Sequence, residues 1–174
     1  MDATIRREML ALLPRLRRFA YGLTGSIDDG DDLVQATCER AIRHIDTWRP
    51  GTRLDSWMYR IARNLFLNEI RGRKVRGLDS RPVDLDEHHN VDGARAMEAR
   101  LTIEAVRRLV GRLPEEQRSA LLLVAVEGLS YKEAAAVLDL PTGTLTSRLA
   151  RARIALKSWM EGDAPNHGSG AGEP

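Results

Sequence analysis

The chain is poor in several things that would otherwise decide its class. It has one cysteine in 174 residues, Cys38. An internal disulfide is therefore excluded, and a thiolate zinc site within one chain is not expected. Aromatic residues make up only 5%. No apolar run approaches the ~20 residues needed to span a bilayer. The opening MDATIRREMLALLPRLRRFAYGL is charged throughout and has neither an apolar signal-peptide core nor a small-residue cleavage site. A soluble cytoplasmic protein is the expectation. Strand-like alternation is sustained nowhere, and no nucleophile–base pair, metal-ligand cluster or Walker motif emerges. The expectation is thus an all-α protein that is not an enzyme and needs no cofactor or metal.

What is present is charge, unevenly placed. The net charge of +2 conceals two basic segments. From position 40 to 76 run Arg40, Arg43, Arg49, Arg53, Arg60, Arg63, Arg71, Arg73, Lys74 and Arg76, opposed by Glu39, Asp46, Asp55 and Glu69. From 142 to 157 run Arg148, Arg151, Arg153 and Lys157 with no acid. Between them Asp79, Asp84, Asp86, Glu87 and Asp92 outweigh Arg81. Two contacts with a polyanion, separated by a stretch that avoids it, would account for this order. A merely solvated helical face would account for either basic segment alone.

Apolar spacing predicts helices almost everywhere. Ile5, Met9, Leu12, Leu13, Leu16, Phe19 and Leu23 define the first, which Pro14 should kink or divide. Asp31 or Asp32 is expected to cap a second helix reaching about Thr47, with Val34, Cys38, Ala41, Ile42 and Ile45 on one side. After Pro50-Gly51, Asp55 is the expected cap of a third helix, from Ser56 to about Arg73, with Trp57, Ile61, Leu65 and Ile70 inward. Residues 77–92 lose periodicity and read as a mobile acidic linker. Helical spacing resumes through Met97, Leu101, Ile103, Val106, Leu109 and Val110, and stops near Leu113-Pro114. Three further helices are expected over 115–127, 131–138 and 142–159. The Gly-rich tail from Gly162 should be disordered.

The segment EGLSYKEAAAVLDLPTGTLTSRLARARIAL has the order of a helix-turn-helix. Gly128 ends one helix, and Ser130 with Glu133 three residues later forms a capping box. Ala134 and Ala135 permit a close helix crossing, and Asp139-Leu140-Pro141 makes the turn. On the last helix Leu145, Leu149, Ala152 and Leu156 face inward. Thr144, Ser147, Arg148 and Arg151 lie opposite, near the end that enters a major groove, and Arg153 extends the basic face. Many transcription factors share such a motif.

The other half is more particular. DDLVQATCERAIRHIDTWRPGTRLDSWMYRIARNLFLNEIRGRK joins a polar helix, a Pro-Gly loop and a helix that mixes aromatics with Arg and Asn. Aromatics beside cations suit single-stranded DNA, and a short loop against such a helix could hold an extruded base. Trp57, by its place in the apolar stripe, reads instead as core.

Residues 32–73 resemble the second conserved region of extracytoplasmic-function sigma factors of the sigma-70 family. Residues 113–156, with LPEEQRSALLL, EGLSYKEAA and GTLTSRLARAR, resemble their fourth. The resemblance implies two small helical domains: a region 2 domain over 1–76 and a region 4 helix-turn-helix domain over 96–161. A flexible linker over 77–95 joins them, and 162–174 form a tail. It implies that Asp32, Leu33, Val34 and Gln35 dock on core RNA polymerase, although Ala36 and Thr37 follow where relatives carry an acid. It implies that the loop from Trp48 through Arg49 and Arg53 to Leu54, with Asn64 and Asn68, reads a flipped base of the minus-10 promoter element. Arg60, Arg63, Arg71, Arg73 and Lys74 would hold the strand backbone. Thr144, Ser147, Arg148, Arg151 and Arg153 would meet the duplex minus-35 element, with Thr146 where relatives are often basic. The implied partners are core RNA polymerase, promoter DNA and an anti-sigma factor, with no membrane insertion and a monomer when free. The implied function is promoter recognition, minus-10 melting and transcription initiation.

Two other readings fit parts of the sequence: a dimeric helix-turn-helix regulator of duplex DNA, or a sigma-like decoy that titrates an anti-sigma factor. The decoy needs no DNA-contacting residues, yet Asn64, Asn68 and the basic last helix are kept. Cys38 reads as a small buried hydrophobe. His88-His89 are adjacent and converge poorly on a metal. Asp28, Asp29, Asp31 and Asp32 lack the spacing and closing Glu of an EF-hand, so capping is their better use.

Overall fold

A computed structural model describes residues 2–76 and 94–161, with side chains of the second block described from Ile103 onward. Among these residues there are seven α-helices and no strands. The acidic linker, with His88 and His89, and the Gly-rich tail lie outside the described residues. Positions 94 and 95, assigned by sequence to the linker, already belong to a helix.

The first domain holds α1 (Ala3–Thr24), α2 (Ile27–Arg43), a short 3-10 turn (Ile45–Thr47) and α3 (Leu54–Val75). Helix α1 is continuous through Pro14, so Pro14 does not divide it into two helices. Pro14 lies on the exposed face, and packing on either side of it, by Met9 before and Leu16 and Phe19 after, holds the helix together. At its end Gly25 takes φ 75° and returns its N–H to the Tyr21 carbonyl at 2.8 Å. Helix α2 then starts at once. Its cap is Ser26, whose Oγ accepts from the Asp29 N–H at 3.3 Å, and not Asp31 or Asp32. Asp28 and Asp29 fall in its first turn, where carboxylates complement the helix dipole. Gly30 lets α2 lie directly on α1, since a Cβ there would come within 2.1 Å of the Tyr21 ring.

Helix α3 crosses both. Its fully covered row is Met58, Tyr59, Ala62 and Phe66, while Trp57, Ile61, Leu65 and Ile70 pack at its margin. The expected inward stripe is therefore displaced by one residue, because α1, α2 and a helix of the second domain all pack on α3. Asp55 does not cap it either. The capping position is Arg53, without a side-chain bond, and the buried Asp55 carboxylate is engaged by arginines. Phe19 meets Tyr59 edge-on, with ring centroids 5.0 Å apart. Each such buried side chain contributes roughly 1.5–3 kcal/mol relative to exposure.

The second domain holds α4 (Ala94–Arg112), α5 (Glu115–Leu121), a π-helical turn continuing from it (Leu122–Val126), α6 (Tyr131–Leu138) and α7 (Thr142–Met160). Ala120, Leu123, Leu129, Ala134, Val137, Leu145, Leu149 and Ala152 form its core. The capping box is made: Ser130 accepts from the Glu133 N–H, and the Glu133 carboxylate accepts from the Ser130 N–H at 2.8 Å. Asp139 takes the left-handed conformation, φ 54°, at the turn before α7. Arg118 is half-buried where two helix C-termini converge. It donates to the carbonyls of Leu23 at 2.6 Å, Gly111 at 2.7 Å and Leu113 at 3.0 Å. Burial lowers its pKa, with Glu115 opposing, and the carbonyl ends of α1 and α4 supply the compensating negative potential.

The domains lie against each other, α1 on the π turn and α3 on α6.

Candidate nucleic-acid interface

Helix α3 presents its polar face between the two domains. Asn64, Asn68 and Arg71 are exposed along it. They line a cleft of about 520 Å³ with Arg40, Ile61, Arg63, Leu65 and Leu67 of the same domain and Leu138 and Asp139 of the other. The cleft brings three guanidinium groups beside two amides. That donor set suits phosphate oxygens and base edges.

Several cations of this face are engaged within the chain. Arg53 donates to Asp55 at 2.6 Å and also to Glu133 of the second domain. Arg60 donates to the Ala136 carbonyl. Arg63 lies 3.5 Å from Glu115, with only 12% of its side chain exposed. Arg73 pairs with Glu69. Lys74 is exposed near the end of α3. In the loop, Arg49 is exposed, whereas Trp48 is half-buried with its indole N–H unpartnered. Leu54 is buried, so it shapes the loop from beneath and does not offer a surface to a base.

The segment assigned to polymerase docking divides in the same way. Asp32 and Gln35 are exposed on α2, and Gln35 donates to Glu39 at 3.1 Å. Leu33 and Val34 are turned into the core, which leaves the polar pair as the surface. Cys38 is half-buried on the inner side, and burial raises its thiol pKa, so the thiol stays protonated near neutral pH.

On α7, Thr144, Ser147, Arg151 and Arg153 are exposed on the face away from Leu145, Leu149 and Ala152. Ser147 donates to the Gly143 carbonyl at 3.1 Å, and Thr146 to that of Thr142 at 3.0 Å. Arg148 is the exception. Only 18% of its side chain is exposed, and it pairs with Glu116 at 2.9 Å. Arg153 reaches the Tyr131 hydroxyl at 3.4 Å. Arg112 lies over the Trp159 ring, 4.4 Å from its centroid, and ties the end of α7 to α4.

A cluster with no signature in the sequence joins the domains. The Glu127 carboxylate, 0% exposed, accepts from Arg15 at 3.3 Å and from Arg18 at 3.1 and 3.3 Å. It also accepts from the Tyr59 hydroxyl at 2.6 Å. Arg15 further donates to the Glu127 carbonyl at 3.0 Å and to Asp55 at 3.1 Å. Burial, and then the bond to Glu127, pushes the Tyr59 phenol well above its ordinary range. The hydrogen bond to Glu127 raises the Arg18 pKa.

Two family models match the chain. Sigma-70 region 2 matches residues 9–76, and Sigma-70, region 4 matches residues 103–156. The ECF RNA polymerase sigma factor EcfG of Rhodopseudomonas palustris is 38% identical over 90% of this chain and 85% of its own length. The ECF RNA polymerase sigma-E factor of Escherichia coli is 36% identical over 76% of this chain and 74% of its own. Among solved structures, the sigma factor RpoE in complex with the anti-sigma factor NepR, from Bartonella quintana, superposes with a TM-score of 0.77 at 32% identity. That match covers 94% of this chain and 100% of that one. CnrH in complex with the cytosolic domain of CnrY gives 0.66 at 27%, covering 91% of each chain.

Proposed function

The chain belongs to the extracytoplasmic-function sigma factors of the sigma-70 family, and on that premise we propose how its two domains divide the work of initiating transcription. Residues 1–76 form the polymerase-docking and minus-10 unit, 77–95 the connection, 96–161 the minus-35 unit and 162–174 a tail. The observation that carries this reading is the juxtaposition, on α3, of exposed Asn64 and Asn68 with a row of guanidinium groups around one cleft. A helix-turn-helix alone would serve any duplex-binding regulator. A second, separate face of amides and cations is what a melted strand requires.

Asp32 and Gln35 offer the polar contact to core polymerase, with Leu33 and Val34 holding α2 in place from inside. Arg60, Arg63, Arg71, Arg73 and Lys74 bind the backbone of the melted strand, and Arg49 and Arg53 belong to the base-reading loop. Asn64 and Asn68, with the loop between Trp48 and Leu54, read a base turned out of the stack. Thr144, Ser147, Arg148, Arg151 and Arg153 approach the minus-35 duplex through the major groove. Unstacking a base costs a few kcal/mol, which these strand contacts offset, so melting is driven by binding energy and not by nucleotide hydrolysis. The protein acts in the cytoplasm, where its template is. The helical sigma folds solved with NepR and CnrY support an anti-sigma protein as the regulator of this chain.

Mobility-shift titration of promoter fragments with and without core polymerase tests this. Sequence-specific binding is expected only with polymerase present. Tight specific binding by the free chain, as a dimer, would favour an ordinary duplex-DNA regulator instead.

A further inference from the structure

We propose that Glu127 is the bolt of a self-masking latch: the free chain closes its second domain onto its own minus-10 face without any inhibitor between them. The proposal rests on the assignment of that face under Proposed function and extends it to regulation.

The latch begins in the backbone. Between Leu122 and Val126 the α5 helix widens to π geometry, with the Glu127 N–H bonded to the Leu122 carbonyl at 2.9 Å and the Leu129 N–H to that of Leu123 at 3.0 Å. The extra residue in the turn rotates the residues beyond it, and such π turns are frequent at functional sites. Here it turns Glu127 out of its own domain and into the first, where Arg15, Arg18 and Tyr59 saturate both carboxylate oxygens. None of those bonds comes from the domain to which Glu127 belongs. A buried carboxylate that finds all its side-chain partners across a seam is costly to expose and useful only when the seam is shut.

The seam is also shaped. Helix α1 meets the π turn at Gly22, where a Cβ would stand 2.5 Å from Leu122 Cδ2. Arg118 crosses it to the Leu23 carbonyl. What the second domain covers is part of the DNA-binding face, while Asn64 and Asn68 stay exposed in the cleft that remains. Arg53 is held by Glu133, Arg60 by the Ala136 carbonyl and Arg63 by Glu115, and Leu138 and Asp139 wall the cleft that contains Asn64 and Asn68. Cations meant for a phosphate backbone are engaged by acceptors of the second domain. Promoter binding requires the second domain to leave.

Two lesions on opposite sides of the seam test this in the full chain. Glu127→Arg sets a third cation against Arg15 and Arg18. Gly22→Leu drives a branched side chain against Leu122 and wedges α1 from the π turn, while improving the helix propensity of α1 itself. Small-angle scattering should show a compact wild-type chain and an enlarged one for each variant. If closure holds the open state at or below about a tenth of the population, opening should tighten binding of a single-stranded minus-10 oligonucleotide about tenfold or more. Transcription at saturating polymerase should be the same for all three. Variants as compact as wild type would overturn the latch, and open variants with unchanged oligonucleotide affinity would overturn the masking. Failure of all three, wild type included, to direct promoter-dependent transcription would instead remove the functional reading on which the latch depends. Circular dichroism of Gly22→Leu excludes misfolding as the cause of enlargement.

Discussion

Replacing Arg118 by methionine keeps the bulk of the side chain and removes its charge and donors. Three carbonyls then lose a partner together: Leu23 in the last turn of α1, and Gly111 and Leu113 at the end of α4. Hydrogen bonds from a charged donor contribute about 1.5–3 kcal/mol each. They are not additive here, because partial burial of the guanidinium, which also lowers its pKa, opposes them. A net loss of about 3–5 kcal/mol is expected, in the range for breaking a buried charge site. For a chain of this size that corresponds to a fall in Tm of about 2–4 °C per kcal/mol. Thermal unfolding followed by circular dichroism measures it. Arg118→Lys should recover part of the loss, since one ammonium can still bridge some of the acceptors. An Arg118→Met protein melting within a degree or two of wild type would refute the idea that this guanidinium fastens the two helix ends.

Asp55 is buried, which works to raise its pKa, but Arg53, the Ser56 N–H and Arg15 outweigh burial and hold it below the ordinary carboxylate value. Its contribution to stability is therefore present above the unfolded-state pKa of about 3.9 and is lost as pH falls through the lower folded value. Urea unfolding from pH 6 to pH 3 should show a steeper acid loss for wild type than for Asp55→Asn. Ser130→Ala removes one half of the capping box and should cost about 1 kcal/mol, read as a lower urea midpoint for the second domain. Arg151 is exposed on α7, so Arg151→Ala should reduce the salt dependence of promoter binding by the polymerase complex by roughly 0.9 in log–log slope. An unchanged slope would take Arg151 off the phosphate backbone.

The elements legible in the sequence were those governed by local rules. Helical periodicity located the seven helices, and the Ser130–Glu133 capping box and the turn at Asp139 were readable because caps and turns depend on a few neighbouring residues. Where two local signals competed, the nearer one won: Ser26 caps α2 because the chain break needs only Gly25 and Ser26. The stripe on α3 slipped by one residue because helices on three sides cover it, which periodicity in one segment does not encode. Glu127, Arg15 and Arg118 belong to no motif that the sequence displays. Their roles depend on partners up to 112 positions away and on a widened helical turn with no distinctive composition. The same holds for the candidate site. Residue types and spacing marked Asn64, Asn68 and the arginines, but only the packing separates exposed Arg151 from paired Arg148, or surface Gln35 from buried Val34.

The most direct measurement is reconstituted transcription with core RNA polymerase and the full chain on a randomised promoter library, with start sites mapped by sequencing. Transcripts should begin at discrete sites that share two upstream elements, and Asn64→Ala with Asn68→Ala should relax the preference in the nearer element alone. Transcripts that are no more promoter-dependent than those of core polymerase by itself would contradict the assignment of this chain as an initiating sigma factor.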